Sequence, residues 1–425
     1  MAKDKNLSSP RSIASAGKAQ TGSWTAMKGC WGGFSVGLFV VLSLGMSGKL
    51  AAQEANSPGV SDGEIIIGQT APYSGPASAF ARIHKSEIAY FEYLNSKGGI
   101  SGRKIRLLSY DDGLSPPKAF EQVRRLVEQD EVAVVFSLLG TAVNISVRKY
   151  LNSKKVPQLF SAAQSSSLAD PEHFPYTMGL LPTLRSEGRF YGEDIVKTKS
   201  DGKISVIYQN DDFGKDLLAG LREGLGSGRE SQIRAQSFEV TEPTIESQIV
   251  TLAASRPDIL LVFAYPKHAA QAIRKVHEMG WKPTIYVFSG NGSLTSFIKP
   301  AGIEASTGIL RAAFFKDPTD PRWKDDPEMN EWREYARQHT PDADLSDYLN
   351  SSGIAFAKVL EQVLRQCGNN LSRENILKQA QSLHDFPLPL GLPGAVVNTS
   401  ATNYEPVKFL ELARFDGTSW EPVKR

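Results

Sequence analysis

The chain has 425 residues, of which 41% are hydrophobic and 22% are charged, and its formal net charge is +2. A chain of this length can form two or three domains, each large enough to bury a core. The composition excludes a disordered or multi-span membrane protein, and the balanced charge excludes a basic nucleic-acid-binding surface. Because Cys30 and Cys367 are the only cysteines, a disulfide framework and a zinc site built from cysteines are also excluded.

The first 52 residues have the pattern of a secretory signal. Residues 1–28 contain five basic residues against one acid, residues 29–48 contain no charged residue, and Ala51-Ala52 follow. A basic segment, an apolar segment and small residues in this order are typical of a cleaved signal peptide. We therefore predict a signal peptide over 1–52, a leader over 53–62 and an exported, periplasmic protein. The apolar segment is also long enough to span a bilayer, so an uncleaved anchor is the alternative.

From residue 64 onward, short β-branched segments alternate with amphipathic helical segments. The first series has predicted strands at 65–68, 105–108, 132–136 and 158–160, and predicted helices at 79–95, 117–128 and 141–152. Strands that alternate regularly with helices indicate a parallel sheet with helices on both faces.

A second series begins after Pro182. Its predicted helices are at 187–197, 214–224, 245–254 and 267–279, and its predicted strands are at 204–208, 233–238, 259–263, 285–288 and near Ile309. Two such series imply two sheets and therefore two lobes.

The remaining segments form no third lobe. Helices are predicted at 323–338, 348–365 and 373–382 with no strands among them, and strand candidates follow at 395–398, 407–412 and 419–423. We predict an α/β protein with two Rossmann-like lobes. Lobe 1 takes residues 63–181 and 313–388, and lobe 2 takes residues 182–312 and 389–425. The chain then crosses between the lobes near residues 181, 313 and 389, and three crossings form a hinge.

The sequence contains no catalytic constellation. Its six histidines form neither a His-x-x-x-His nor a His-Glu-x-x-His pair, and neither a Gly-x-Ser-x-Gly elbow nor a Gly-x-x-x-x-Gly-Lys loop is present. Gly224, Gly226 and Gly228 follow a helix and are interpreted as a helix stop. Cys367 is interpreted as a small residue near a helix end. We therefore predict no enzyme, no metal and no cofactor; an enzyme would need a nucleophile–base pair or a nucleotide loop.

Two turns after strands are rich in small and hydroxyl-bearing residues. Small residues let a ligand approach the backbone, and free N–H groups with hydroxyls at a helix start favour an anion. The alternative is simple helix capping, for which serine and threonine are common. The first turn contains Gly140 and Thr141, and the second contains Ala162, Ala163, Ser165 and Ser166.

Aromatic residues occupy corresponding turns in both predicted lobes. Phe80 follows Ser74-Gly75-Pro76, Phe213 lies in an Asn-Asp-Asp-Phe-Gly turn, and Tyr265 follows the strand at 259–263. A single aromatic residue after a strand usually belongs to the core. Several at the strand-to-helix edges of both lobes better fit the walls of a cleft between them.

With these residues in view, the chain resembles the type I periplasmic substrate-binding proteins of the leucine/isoleucine/valine family. The resemblance rests on IGQTAPYSGP at 67–76, NSKGGISGR at 95–103, YDD at 110–112 with Pro117-Lys118-Ala119, and YQNDDFG at 208–214. It covers the chain from residue 63 on. It implies a two-lobed fold with a three-crossing hinge, which is the type I periplasmic binding protein fold.

The resemblance also implies a set of ligand-binding residues. The family's carboxylate-binding turns match the two turns that contain Gly140, Thr141, Ala162, Ala163, Ser165 and Ser166. The aromatic lid matches Phe80, and the second-lobe aromatics match Phe213 and Tyr265. The acid that holds an α-ammonium should fall within residues 289–293, but this turn contains Asn291 and no acid.

The expected ligand therefore has a carboxylate but no obligatory ammonium, and the three aromatic residues favour an aromatic acid. Asp211 or Asp212 could replace the missing acid. The resemblance implies a monomeric binding protein that delivers an amino acid or an organic acid to ABC permease subunits. A ligand-sensing or regulatory domain on the same fold, with the anchor intact, is the alternative function.

Overall fold

The computed structural model describes residues 57–424 and contains two main β-sheets, each in its own lobe. In the first sheet the strands are parallel and lie in the order β2-β1-β3-β4-β5. Its strands are β1 (Glu64–Ala71), β2 (Lys104–Asp111), β3 (Val134–Phe136), β4 (Gln158–Ser161) and β5 (Thr177–Gly179). The predicted signal peptide and most of the leader lie outside the described residues.

The second sheet has seven strands in the order β14-β13-β10-β9-β8-β6-β7. Strands β6 to β10 are parallel, whereas β13 is antiparallel to β10 and β14 is antiparallel to β13. The strands are β6 (Ile204–Gln209), β7 (Ile233–Phe238), β8 (Ile259–Phe263), β9 (Thr284–Val287), β10 (Leu310–Ala313), β13 (Glu411–Phe415) and β14 (Trp420–Pro422). A separate pair is formed by β11 (Phe386–Pro387) and β12 (Val396–Val397).

Helices connect the parallel strands. In the first lobe they are α1 (Ala81–Ser96), α2 (Pro116–Glu128) and α3 (Thr141–Ser153). In the second they are α4 (Leu184–Thr198), α5 (Asp212–Leu225), α6 (Glu246–Ala253), α7 (Pro266–Glu278), α8 (Lys299–Ala301) and α9 (Ile303–Ser306). Three later helices are α10 (Pro327–His339), α11 (Tyr348–Gln366) and α12 (Arg373–Ala380).

Burial explains why the strand segments have nearly continuous apolar runs. All five residues of β8 are buried, as expected for a central parallel strand that is covered by helices on both faces. The residues at the start of α2 also explain why a helix begins there. Pro116 and Pro117 begin α2, where their missing N–H groups need no partner.

The late helices complete the first lobe. Helix α11 packs closely on α1: a Cβ added at Gly353 would lie only 2.2 Å from the carbonyl oxygen of Ile83. The guanidinium of Arg373, at the start of α12, donates to the carbonyl oxygen of Val132 at 2.6 Å. The chain passes between the lobes after β5, after β10 and before β13. The exact lobe boundaries stay predictions.

Several element predictions were wrong in detail. No strand was predicted at β5, because three residues are too short to show an alternating pattern. A strand was predicted at 407–412, but the strand in this region, β13, begins at Glu411. The reason is that the chain pairs with β10 only from Glu411 onward. Helix α4 begins three residues earlier than predicted, and its cap is the hydroxyl of Thr183, which accepts a hydrogen bond from the Ser186 N–H at 3.1 Å.

The interpretation of three glycines as a helix stop holds for Gly226, which follows the last residue of α5, Leu225, with a φ of 79°, whereas Gly224 lies inside the helix. The interpretation of Cys367 as a residue near a helix end is confirmed. Cys367 is the buried C-cap residue of α11, and burial raises the pKa of its thiol to about 12. Within residues 57–424, no helix is both long and apolar enough to cross a membrane.

Candidate functional site

A cavity of about 70 Å³ lies between the two lobes. Residues from both lobes line it, among them Leu139 after β3 and Phe288 after β9. These positions are at the carboxyl ends of parallel strands, where open α/β folds bind their ligands. The cavity is therefore the candidate binding site.

Most of the predicted site residues meet in this cavity. Those that line it are Phe80, Gly140, Thr141, Ala162, Ala163, Phe213 and Tyr265. They come from three separate turns of the first lobe and two of the second. The structure thus brings these seven residues together at one cavity, and their role in ligand binding stays a prediction.

The first-lobe side of the cavity contains the start of α3. Gly140 is the N-cap and has a φ of 91°, and a Cβ at this position would lie 2.5 Å from Cδ1 of Leu114. Thr141 is the first helical residue, so its N–H has no partner within the helix. Its side chain is only 3% exposed, and across residues 57–424 no hydrogen bond to its hydroxyl is found. An unpaired donor group therefore faces the cavity.

The second predicted turn divides into two parts. Ala162 and Ala163 line the cavity, but Ser165 and Ser166 do not. The Ser165 hydroxyl accepts from the Ser167 N–H at 3.3 Å and so caps the short 3₁₀ turn that follows. The Ser166 N–H and hydroxyl both donate to Asp216 of α5, each at 2.7 Å. These polar groups already have partners within the protein.

Asn291 in the 289–293 turn and the two acids at the start of α5, Asp211 and Asp212, also do not line the cavity. Asn291 is fully buried, and its amide nitrogen donates to the carbonyl oxygen of Ala264 at 2.9 Å. Gly290 lines the cavity instead. Asp211 is the N-cap of α5 and accepts from the Gly214 N–H at 3.2 Å. Neither Asp211 nor Asp212 is among the residues that line the cavity.

Aromatic rings form most of the remaining wall. The ring centroids of Phe80 and Tyr265 are 5.7 Å apart in an edge-to-face arrangement that joins the two lobes. Phe213 lies 4.7 Å from Tyr265 and 4.8 Å from Phe288. Five further lining rings were missed from the sequence, namely Phe288, Phe314, Phe315, Tyr348 and Phe356. Phe288 was predicted as the last residue of the strand at 285–288, whereas β9 ends at Val287 and Phe288 directly follows it.

No aspartate, glutamate, lysine or arginine lines the cavity in the described part of the chain. Charged groups lie behind its wall. Glu187 of α4 is fully buried and accepts hydrogen bonds from the Ser289 N–H at 2.8 Å and the Ser289 hydroxyl at 2.6 Å. Burial raises the pKa of Glu187 to about 7, although these hydrogen bonds favour the ionised form.

Arg311 is the second buried charge behind the wall. Its guanidinium lies 3.3 Å from the carboxylate of Asp317 and 4.6 Å from the ring centroid of Trp420. It also donates to the carbonyl oxygen of Ser289 at 3.2 Å. The buried Nε of Arg311 has no hydrogen-bond partner among the described residues, and Arg311 does not line the cavity, so it supports the wall from behind.

A comparison with known protein families identifies the family to which this chain belongs. The profile of a family described as periplasmic binding protein matches residues 64–417. The chain belongs to the periplasmic binding protein family. Members of this family bind substrates and are not enzymes, so the prediction of a non-enzymatic binding protein is confirmed. Among residues 57–424, no group of three or more His, Cys, Asp or Glu residues could hold a metal ion.

Individual relatives agree with this assignment. The Leu/Ile/Val-binding protein homolog 3 of Brucella melitensis is 24% identical over 271 residues, which are 62% of this chain and 70% of that protein. A possible leucine/isoleucine/valine-binding protein from Rhodopirellula baltica has a similar structure, with a TM-score of 0.75, 18% identity and coverage of 85% and 96% of the two chains.

A fatty acid ABC transporter substrate-binding protein from Thermomonospora curvata is also similar, with a TM-score of 0.71 and 21% identity over 87% of this chain and 95% of that one. The two-lobed α/β fold predicted from the sequence is therefore confirmed for this binding protein.

Proposed function

We propose that this protein is the substrate-binding protein of an ABC transporter and that it captures a small organic acid between its lobes. The family assignment supports a substrate-binding role, and the structurally similar protein from Thermomonospora curvata is named as the substrate-binding protein of an ABC transporter. On this proposal the protein is an exported monomer in the periplasm, and its closed form docks on permease subunits, which recognise the fixed separation of the lobes.

The observation that carries the ligand class is the uncharged cavity. On one side, the α3 start offers the Thr141 hydroxyl and the N–H groups of a helix N-terminus, which favour a carboxylate. On the other side, aromatic rings such as Phe213 and Phe288 offer an apolar surface. A ligand with a carboxylate at one end and an apolar body at the other fits both sides.

The same cavity disfavours an α-amino acid. Burial of an ammonium group without a partner costs several kcal/mol, because water that solvates the charge is lost. In the described part of the chain, no lining residue carries a carboxylate that could pair with it. Asp211 is the N-cap of α5 and lines no part of the cavity. The proposed ligand therefore has no obligatory ammonium.

The composition of the wall favours an aromatic or short aliphatic acid. Eight aromatic side chains line the cavity, and rings stack well on rings. Since one structural neighbour is named for a fatty acid, an aliphatic acid is the second ligand class to test.

Matched pairs of ligands test this proposal. Thermal-shift measurements would compare 3-phenylpropanoate with phenylalanine and 4-methylpentanoate with leucine, because the members of each pair differ only in the α-ammonium group. Ligand binding to the folded state raises the melting temperature by mass action. We expect a shift with one or both plain acids and none with the matching amino acids. Shifts with the amino acids alone would refute the proposed ligand class.

A further inference from the structure

The predicted anion-binding turn of the first lobe is occupied by an acid from the second lobe. Oδ2 of Asp216 accepts from the N–H of Ser166 and Oδ1 accepts from its hydroxyl, both at 2.7 Å. Both carboxylate oxygens are therefore engaged by one residue. Charge-assisted hydrogen bonds of this length are among the stronger polar contacts in proteins.

The position of this contact links it to the cavity wall. Asp216 lies three residues after Phe213 on α5, and residues at this spacing share one face of a helix. Ser166 lies three residues after Ala163 in the first lobe. Phe213 and Ala163 both line the cavity. The hydrogen bonds thus join the two segments that carry opposite walls.

Asp216 depends on Ser166 because it has no cation as an alternative partner. Within residues 57–424, no lysine, arginine or histidine nitrogen lies within 4.0 Å of its carboxylate. Arg185 of α4 and Asp212 of α5 act on it only at longer range. By contrast, Asp347 of the first lobe accepts from Ser293 of the second at 2.8 Å but also lies 3.5 Å from Arg82.

We propose that Asp216 is a positioning residue for ligand capture and that its bond to Ser166 holds the lobes together. When the lobes separate, Ser166 and α5 separate as well, so the two hydrogen bonds exist only in the closed form. An interaction made in one of two states shifts the population toward that state. A larger closed fraction then raises the apparent affinity for any ligand that binds in the cavity. This last step alone rests on the proposed function.

Interlobe distances measured without ligand test the proposal. Nitroxide labels on Lys149→Cys of α3 and Arg222→Cys of α5, both exposed positions, would report the separation after Cys30 and Cys367 are replaced. Asp216→Asn and Ser166→Ala each remove part of the contact and should shift the population toward longer distances. We expect the closed-to-open ratio to fall about tenfold, the size expected from the loss of one charge-assisted hydrogen bond.

Two control variants separate this role from a general effect of charge or folding. Lys215→Gln removes an exposed charge from the same helix and should leave the distances unchanged. Ser166→Thr keeps both donors and should behave like the parent protein. If Asp216→Asn and Ser166→Ala both retain the parent distance distribution, Asp216 does not hold the lobes together. Because no ligand is present, an error in the proposed ligand class would not affect this result.

Discussion

At the scale of single residues, Phe80 has the clearest double role. Its side chain is 6% exposed, lines the cavity and meets Tyr265 across the gap between the lobes. A ring that packs against the opposite lobe becomes more exposed when the lobes separate. Its burial therefore contributes to closure and ligand contact more than to the folding of its own lobe.

Replacement of Phe80 by alanine should accordingly weaken binding more than it weakens folding. We expect at least a tenfold loss of affinity for the best ligand of the matched-pair screen, with a small change in melting temperature. Phe91 of α1, the helix that follows Phe80, is a matched control, because it is 1% exposed and packs on Phe136 in the core. Phe91→Ala should lose about 3–5 kcal/mol of stability. A Phe80→Ala variant with normal affinity and core-like destabilisation would contradict the lid role.

Glu187 makes stability depend on pH. Burial raises its pKa from 4.5 to about 7, so between these values the folded protein holds a proton that the unfolded chain has released. A rise in pH through this window therefore favours unfolding. The contribution is fully present below pH 4.5 and is lost as the pH rises through 7. The loss amounts to about 3 kcal/mol, at roughly 1.4 kcal/mol per unit of pKa difference.

Urea denaturation at several pH values between 5 and 8 measures this effect. The free energy of unfolding of the parent should fall with pH relative to that of Glu187→Gln, in which the titrating group is removed. Other titrating groups contribute equally to both proteins, so the difference isolates Glu187. Parallel pH profiles would show that Glu187 is ionised in the folded protein throughout this range.

At the scale of elements, the contact between α4 and α5 positions one wall of the cavity. Helix α5 carries Phe213 and Asp216, and α4 carries Leu184 and Glu187. Glycines let the two helices approach closely: a Cβ at Gly188 would lie 2.1 Å from the carbonyl oxygen of Leu217. A Cβ at Gly220 would lie 2.0 Å from the carbonyl oxygen of Arg185. Real Cβ atoms do not approach backbone oxygens this closely, so any side chain must push the helices apart.

Gly188→Ala should therefore destabilise the protein by about 1–3 kcal/mol, the usual cost of overpacking, and should weaken ligand binding as α5 moves. Gly63→Ala is the matched control, since no atom lies within 4 Å of the added Cβ and the change should stay within about 0.5 kcal/mol. Denaturation curves of the two variants give both values. Equal stability of the two variants would mean that the helices can separate without cost.

The sequence allowed the alternation of strands and helices to be predicted because buried strands such as β8 and amphipathic helices leave local patterns. It also located seven cavity residues, since strand-to-helix turns meet at one edge of a parallel sheet. The rest depends on contacts between distant segments. The pairing of Ser166 with Asp216, 50 residues away, has no local signature. Phe314 and Phe315 follow β10 in a segment between the lobes, where no periodic pattern marks them.

At the scale of the whole molecule, residues from both lobes line the cavity, and residues of the two lobes also make hydrogen bonds to one another. Besides the Ser166–Asp216 pair, the Tyr348 hydroxyl donates to the carbonyl oxygen of Gly290 at 2.7 Å, and Thr295 donates to Asp344 at 2.6 Å. A ligand in this cavity contacts both lobes at once. Its binding should therefore favour the closed form. On the proposed function, its chemical class follows from a cavity wall that, among residues 57–424, contains no charged side chain.

The ratio of two affinities tests this account most directly. Isothermal calorimetry of the protein with 3-phenylpropanoate and with phenylalanine compares ligands of the same size and ring, so the α-ammonium is the only difference. An unpaired buried ammonium should cost phenylalanine at least two orders of magnitude in affinity, or about 3 kcal/mol. We predict measurable binding of 3-phenylpropanoate with a ratio of this size in its favour. Equal affinities, or tighter binding of phenylalanine, would contradict the account.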